Sequence, residues 1–199
     1  DSAWQYETLD GNSSNGGRTT DSVGYSISAA VYNDSIQLFY YDQTTKALRH
    51  SWYTQLAGWQ YETLEGGSSS VSGYSSDVGV KPAVQVYQNT IQVFYSDLSR
   101  GNLRHAWFNP DSGWHFENLD GDKGAVSRYD ANVGLDSTAM VYQDTIQAFY
   151  QNLQTGSLRH AFFIPGKGWR FEDLDGGPNS VSRYGGRVGT WPSVTSYNN

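Results

Sequence analysis

Trp4, Trp59, Trp114 and Trp169 stand 55 residues apart, and Gly24, Gly79, Gly134 and Gly189 keep the same step, as do Tyr32, Tyr87, Tyr142 and Tyr197. Arg49-His50, Arg104-His105 and Arg159-His160 recur in register with them, with no insertion or deletion between Trp4 and Asn199. A fixed period of tens of residues is the mark of a solenoid, propeller or array, in which each unit buries its apolar face only against its neighbours. Function in such a chain belongs to the repeat rather than to one singular residue.

The local pattern inside the period is that of strands. With 22 Gly, 15 Tyr, 7 Trp and one Met, the chain is poor in helix formers and rich in residues that suit pleated, half-buried surfaces. In the second unit, Pro82 to Tyr87 alternates and ends at the turn Gln88-Asn89-Thr90; Ile91 to Tyr95, Leu103 to Phe108 and Trp114 to Leu119 follow as further strands. Short Gly- or Asn-bearing loops separate these strands, as hairpins require. The link from Asp120 to Gly134 is longer and polar.

Three tight hairpins and one long crossover per unit predict an all-β fold, a β-propeller of four-stranded blades. A single domain over residues 1–199 is expected, with full repeats at about 24–78, 79–133 and 134–188 and partial terminal strands at 4–9 and 190–197. Three blades are too few for a ring, since propellers use roughly four to eight, and an open array exposes strand edges. Two routes to closure remain: a homo-oligomer, a dimer in the simplest case, or further chain beyond these residues.

The formal charge of −7, from 13 basic and 20 acidic residues without a basic run, argues against nucleic acid as a partner. No apolar stretch approaches the roughly 20 residues needed to cross a bilayer as a helix, so membrane insertion is not expected. The chain has no Cys, which removes disulfides and thiolate metal sites. The abundance of Gly, Ser, Thr, Asn and Tyr predicts a secreted or extracellular protein. Of the four His, three are repeat copies, and neither a catalytic triad nor metal-ligand spacing stands out. Neither metal, cofactor nor catalysis is predicted.

The pattern Gly-x-Leu-Arg-His-x-Trp followed by Gly-Trp-x-x-Glu-x-Leu-Asp-Gly resembles the repeat of bacterial β-propeller lectins of the Photorhabdus type, which bind fucosylated or O-methylated sugars. More loosely it is similar to the fungal fucose-lectin propellers of the Aleuria type. The resemblance implies a glycan partner, fucose-like sugars in particular. In the Aleuria type an Arg on the second strand and a Glu on the third hold the sugar beside an aromatic platform. The corresponding positions here carry Gln37, Gln92 and Gln147, and then Arg49, Arg104 and Arg159.

Sugars present C–H faces to aromatic rings and hydroxyls to planar charged groups. The candidate ligand-binding set is therefore Arg49, Arg104 and Arg159; Glu62, Glu117 and Glu172; Trp52 and Trp107; and the crossover residues Tyr74, Tyr129 and Tyr184. Each has a structural alternative. The Trp4, Trp59, Trp114, Trp169 series suits packing between blades. Trp52 and Trp107 share a strand face with His50 and His105 and suit the core. The arginines point to the opposite face, where they either reach a ligand or pair with a neighbouring unit's Glu7, Glu62, Glu117 or Glu172. A protein-binding or scaffold module of a secreted hydrolase is the competing functional class.

Overall fold

The computed structural model describes residues 4–12 and 18–195. Among these residues twelve strands form three antiparallel sheets. Sheet 1 runs β1 (Tyr25–Tyr32), β2 (Ser35–Asp42), β3 (Ala47–Thr54) and β4 (Gly58–Glu65). Sheet 2 runs β5 (Val78–Tyr87), β6 (Thr90–Asp97), β7 (Asn102–Asn109) and β8 (Gly113–Asp120). Sheet 3 runs β9 (Val133–Tyr142), β10 (Thr145–Asn152), β11 (Ser157–Ile164) and β12 (Gly168–Asp175). In each sheet the strands pair in chain order, and no helix occurs among the described residues.

Turn chemistry sets the register. The first hairpin of each sheet is a two-residue turn with both central residues left-handed: Asn33-Asp34, Gln88-Asn89 and Gln143-Asp144. Such turns match the twist of the strands they join. The second hairpin is nucleated by a strand-end side chain that accepts backbone N–H groups, Asp42 from Thr44 and Thr45, and Asn152 from Gln154 and Thr155.

The sheets stack face on face, with the first strands side by side. Val84 N–H donates to Ser28 Oγ at 3.1 Å, and Gln85 Nε2 donates to the Ala139 carbonyl at 2.8 Å. One core joins Phe39, Leu48 and Leu64 of sheet 1 to Ile91, Val93 and Tyr95 of sheet 2; a second joins Phe94, Leu103 and Leu119 to Ile146, Ala148 and Tyr150 of sheet 3. Each large apolar side chain buried this way contributes about 1.5–3 kcal/mol. The architecture is propeller-like: successive four-stranded sheets around a shared row of first strands.

The crossover must bring each new first strand hard against the third strand of the sheet before. At Gly79, with φ of +98°, a Cβ would lie 2.6 Å from Leu48 Cα, and at Gly134 it would lie 2.5 Å from Leu103 N. Gly79→Ala therefore meets both a forbidden dihedral and backbone atoms. We expect it to cost about 1–3 kcal/mol in a denaturant titration. Gly58→Ala, at positive φ with nothing within 4 Å, carries only the dihedral cost and sets the baseline.

The terminal segments differ from expectation. Residues 4–9 and 190–195 form no strand, because no strand among the described residues pairs with them. Residues 196–197 of the expected final strand, including Tyr197, lie outside the described residues. Residues 7–10 nonetheless pack on the outer face of sheet 1: Trp59 Nε1 donates to Glu7 Oε1 at 3.3 Å and Tyr61 Oη donates to the Leu9 carbonyl at 2.9 Å.

Candidate functional site

In an antiparallel sheet, directly opposed residues share a face. Gln37 opposes Trp52, Phe39 opposes His50, and His50 opposes Glu62. One face of sheet 1 thus carries an amide, an indole, an imidazole and a carboxylate in reach of one another. His50 Nδ1 lies 2.8 Å from Glu62 Oε1 and Nε2 lies 2.8 Å from Gln37 Oε1. The ring is sandwiched between Phe39 at 4.5 Å and Trp52 at 4.9 Å. A charged contact at one nitrogen, an amide at the other and two ring faces leave the imidazole no freedom, so Trp52 stands on a fixed base.

The far wall comes from sheet 2, where Ile91, Phe108 and Trp114 form one cross-strand row. Trp114 meets Phe39 and His50 edge-on and donates its indole N–H to Glu62 Oε1 at 2.9 Å. Glu62 is thereby fixed from both walls through one oxygen, while its side chain keeps 26% exposure. The result is a cleft of about 420 Å³ that opens over Trp52 and the Glu62 carboxylate.

A second cleft, of about 530 Å³, lies between sheets 2 and 3. Its eleven lining residues are those of the first, each 55 positions on, with Gln92, His105, Trp107 and Glu117 on one side and Ile146, Phe163 and Trp169 on the other. His105 keeps 2.8 Å to both Glu117 and Gln92. Trp107 here also stacks on His115 at 5.1 Å, where the first cleft has Gln60. On sheet 3, His160 holds Glu172 and Gln147 at 2.9 and 2.7 Å, and Phe162 takes the indole's place at 4.9 Å.

The arginines are elsewhere. Arg104 donates through Nε and Nη2 to Glu65 at 2.9 and 2.6 Å, with Tyr95 Oη donating to the same carboxylate at 2.8 Å. Arg159 and Tyr150 converge on Asp120, and Arg49 and Tyr40 on Asp10. All three arginines are buried. Glu65 and Asp120 are fully buried carboxylates from the preceding sheet, so Arg104 and Arg159 each bridge two sheets at the end of the junction away from the cleft, whereas Arg49 is held by Asp10 and by Asp42 of its own sheet. Burial opposes the charge on Arg104 and Arg159, but the hydrogen-bonded acid more than compensates and holds each above the ordinary arginine value. Burial, followed by the same acid, pushes Tyr95 and Tyr150 well above the usual phenol range.

This changes the partner assignment. Arg104 and Arg159 pair with the acids at the strand ends, not with Glu62 and Glu117, because a register shift between Leu48 and Arg49, repeated between Leu103 and Arg104, turns those strand ends toward the next sheet. The crossover tyrosines divide. Tyr74 stacks under Arg104 at 4.4 Å and donates to Asp97 at 2.6 Å; burial, helped by that acid, raises it to about 12. Tyr129 stacks under Arg159 at 4.1 Å. Tyr184 is exposed, with its backbone N–H on Ser182 Oγ.

Of the sequence candidates, the clefts bring together Glu62 with Trp52 and Glu117 with Trp107, and Glu172 sits in an open half-cleft. Arg49, Arg104, Arg159, Tyr74, Tyr129 and Tyr184 line neither complete cleft. The histidines, Gln37 and its copies, and the Ile-aromatic-Trp row were missed as a site. Their signal was present: Gln37, His50 and Glu62 recur with the period and fall on one face once the hairpin registers are known.

Burial pushes the His50 and His160 imidazoles below their ordinary value near 6.5, and the facing carboxylates only partly offset it. A folded value below the unfolded one means the unfolded chain takes up protons first as the pH falls. The stability these rings contribute is therefore complete above about pH 6.5 and is lost progressively below it. A thermal-melt series from pH 8 to pH 5 should be flat on its upper side and fall on its lower, and His50→Asn should flatten the fall. Among the described residues no cluster of three or more acidic or imidazole side chains has the arrangement to hold a metal ion.

Among solved structures, the chain is similar to the fucose-specific lectin from Aleuria aurantia in its mercury-derivative form, at 19% identity and TM-score 0.48, with 75% of this chain and 44% of that one covered. It is also similar to the Aleuria aurantia lectin described as a six-bladed β-propeller with a novel fucose recognition mode, at 18% identity and TM-score 0.47, covering 74% and 44%. The chain thus spans less than half the length of these structures. No protein-family model matches it, nor does any curated protein. Both solved structures are of the Aleuria type; the Photorhabdus-type likeness rests on the repeat residues alone.

Proposed function

We propose that this chain is a carbohydrate-binding protein, a lectin whose sugar sites are the clefts between successive sheets, and that fucosylated or O-methylated glycans are its ligands. The observation that carries this reading is the pairing, twice over in identical positions, of a fixed indole face with a partly exposed carboxylate. The indole takes the C–H face of a pyranose, and the free carboxylate oxygen accepts from its hydroxyls. The apolar wall of Ile91, Phe108 and Trp114 suits a methyl substituent. A cleft of about 420 Å³ falls in the range of small-ligand sites, roughly 300–1,000 Å³.

Each cleft has one carboxylate on its lining, Glu62 or Glu117. Glycoside hydrolysis ordinarily needs two carboxyl groups flanking one bond, about 5–10 Å apart, so the arrangement favours binding over turnover. Repetition makes the protein multivalent: weak single sites gain by acting together on a glycan-bearing surface. That use, with the polar composition, fits a secreted protein.

A glycan array spanning fucosylated, O-methylated and unmodified sugars tests the reading, with thermal shift on the strongest hits. Saturation at 100 times Kd should add about 2.7 kcal/mol of stability. No hit on the array and no shift with any sugar would refute it.

A further inference from the structure

The two clefts match position for position along their lining, but the residue set directly across the strand pair from each indole does not. Trp52 is opposed by Gln60 and Trp107 by His115. On sheet 1 the Gln60 amide turns back into its own hairpin and donates to the Ala57 and Trp59 carbonyls, each at 3.0 Å. Among the described residues Trp52 therefore keeps one ring contact, with His50. On sheet 2 the His115 ring lies almost parallel to Trp107, with centroids 5.1 Å apart and 16° between the planes. Ser112 Oγ, in the hairpin, stands 2.7 Å from His115 Nε2 and draws that ring toward the hairpin end, away from His105. Trp107 is thus bracketed by two imidazoles where Trp52 rests on one.

We propose that His115 is the residue that sets the two clefts apart: it covers the face of Trp107 that a sugar ring needs, and so makes the cleft between sheets 1 and 2 the tighter site. The ranking rests on the lectin reading of both clefts. Sequence supports the assignment independently of the ring geometry. Ser112 and His115 stand where the neighbouring units carry Ala57 and Gln60, and Lys167 and Arg170. The repeat keeps its Gln, His, Trp and Glu in both clefts, yet at this one hairpin it departs by two residues that meet each other. Arg170, at the matching place on sheet 3, is turned back like Gln60, with Nη1 donating to the Trp169 carbonyl at 2.9 Å.

An imidazole and a pyranose compete for one surface, because each stacks on the indole through a flat face. To admit a sugar at Trp107, His115 must swing out. It then gives up its bond to Ser112 and its ring stack, two interactions that together are worth about tenfold in affinity or more. The movement is open to it, since Asp111 and Ser112 at the hairpin tip are exposed. Gln60 demands no such step, because its amide is bonded to its own hairpin and not to the indole.

Calorimetric titration with the strongest array hit, on the parent and two variants, tests the proposal. The parent should show two classes of site that differ in affinity by about tenfold or more. His115→Gln, which installs the residue of the first cleft, should bring both sites to the tighter value, within about threefold. Ala57→Ser with Gln60→His, which transfers the cover to the first cleft, should bring both to the weaker value. Melting curves check that each variant is folded. Acrylamide quenching of tryptophan fluorescence reads the cover without any sugar: His115→Gln should raise it, and the rise should vanish on a Trp107→Ala background. Equal affinities in the parent, two classes that stay apart in His115→Gln, or quenching that does not move would overturn the proposal. A rise in quenching on a protein that binds no sugar would refute the lectin reading, and the ranking of the clefts with it, and leave only the cover over Trp107 standing.

Discussion

Arg104→Ala is expected to destabilise the chain by about 3–5 kcal/mol, the cost of removing one partner from a buried ion pair, and to lower the melting temperature by about 10 °C. The reason is what stays behind. Glu65 is fully buried and receives Arg104 through two hydrogen bonds and Tyr95 through a third. Without the guanidinium its charge has only a neutral phenol for company, and Tyr74 loses the cation over its ring. Glu65 and Arg104 belong to different sheets, so the damage falls on the junction itself. Arg104→Met together with Glu65→Leu should recover most of the loss, since an apolar pair of similar volume needs no desolvation. Sugar affinity per folded molecule should stay within about threefold of the parent, because the ion pair and the cleft lie at opposite ends of the junction. A large affinity loss in protein that melts normally would place the arginine at the sugar instead.

Trp52→Ala with Trp107→Ala is the counterpart, expected to remove binding while sparing the fold. Losing the aromatic platform at a single site should weaken it by about tenfold to a hundredfold, the equivalent of 1.4–2.8 kcal/mol. On a glycan-coated surface, where sites act together, the double variant should lose more than either change alone, by about a hundredfold or more. Both indoles are only half-buried and stack on histidines held independently by Glu and Gln, so the stability cost should stay below that of Arg104→Ala. Glu62→Gln with Glu117→Gln probes the polar half of the same sites. The amide keeps one acceptor but replaces a charge-assisted hydrogen bond, and affinity should fall by about tenfold. Surface plasmon resonance on immobilised glycan, beside melting curves of each variant, separates the two classes of effect.

The architecture was legible because it rests on local chemistry. Pairs such as Asn33-Asp34 and Gln88-Asn89, the Gly residues at the third hairpin and the invariant spacing of Trp59, Trp114 and Trp169 each specify one turn or one junction. The site was legible only in part. Trp52, Trp107, Glu62 and Glu117 could be chosen by residue type, but their neighbours His50, Gln37 and Trp114 come from three strands in two sheets, and that convergence depends on registers no spacing reveals. The arginines show the opposite failure. Periodicity and ligand chemistry made them attractive, whereas the register shifts beside Leu48 and Leu103 decide that Arg104 and Arg159 meet Glu65 and Asp120 in the interior. Residue type sets what a side chain is able to do; the bulge sets what it faces.

The central claim is that sugar enters the junction clefts at the indole end. A crystal soaked with the strongest array ligand tests it most directly. The account predicts a pyranose ring stacked on Trp52 and another on Trp107, each with a hydroxyl on Glu62 or Glu117. Sugar bound beside Tyr74 and Arg104, or at the crossover loops with both clefts empty, would contradict it.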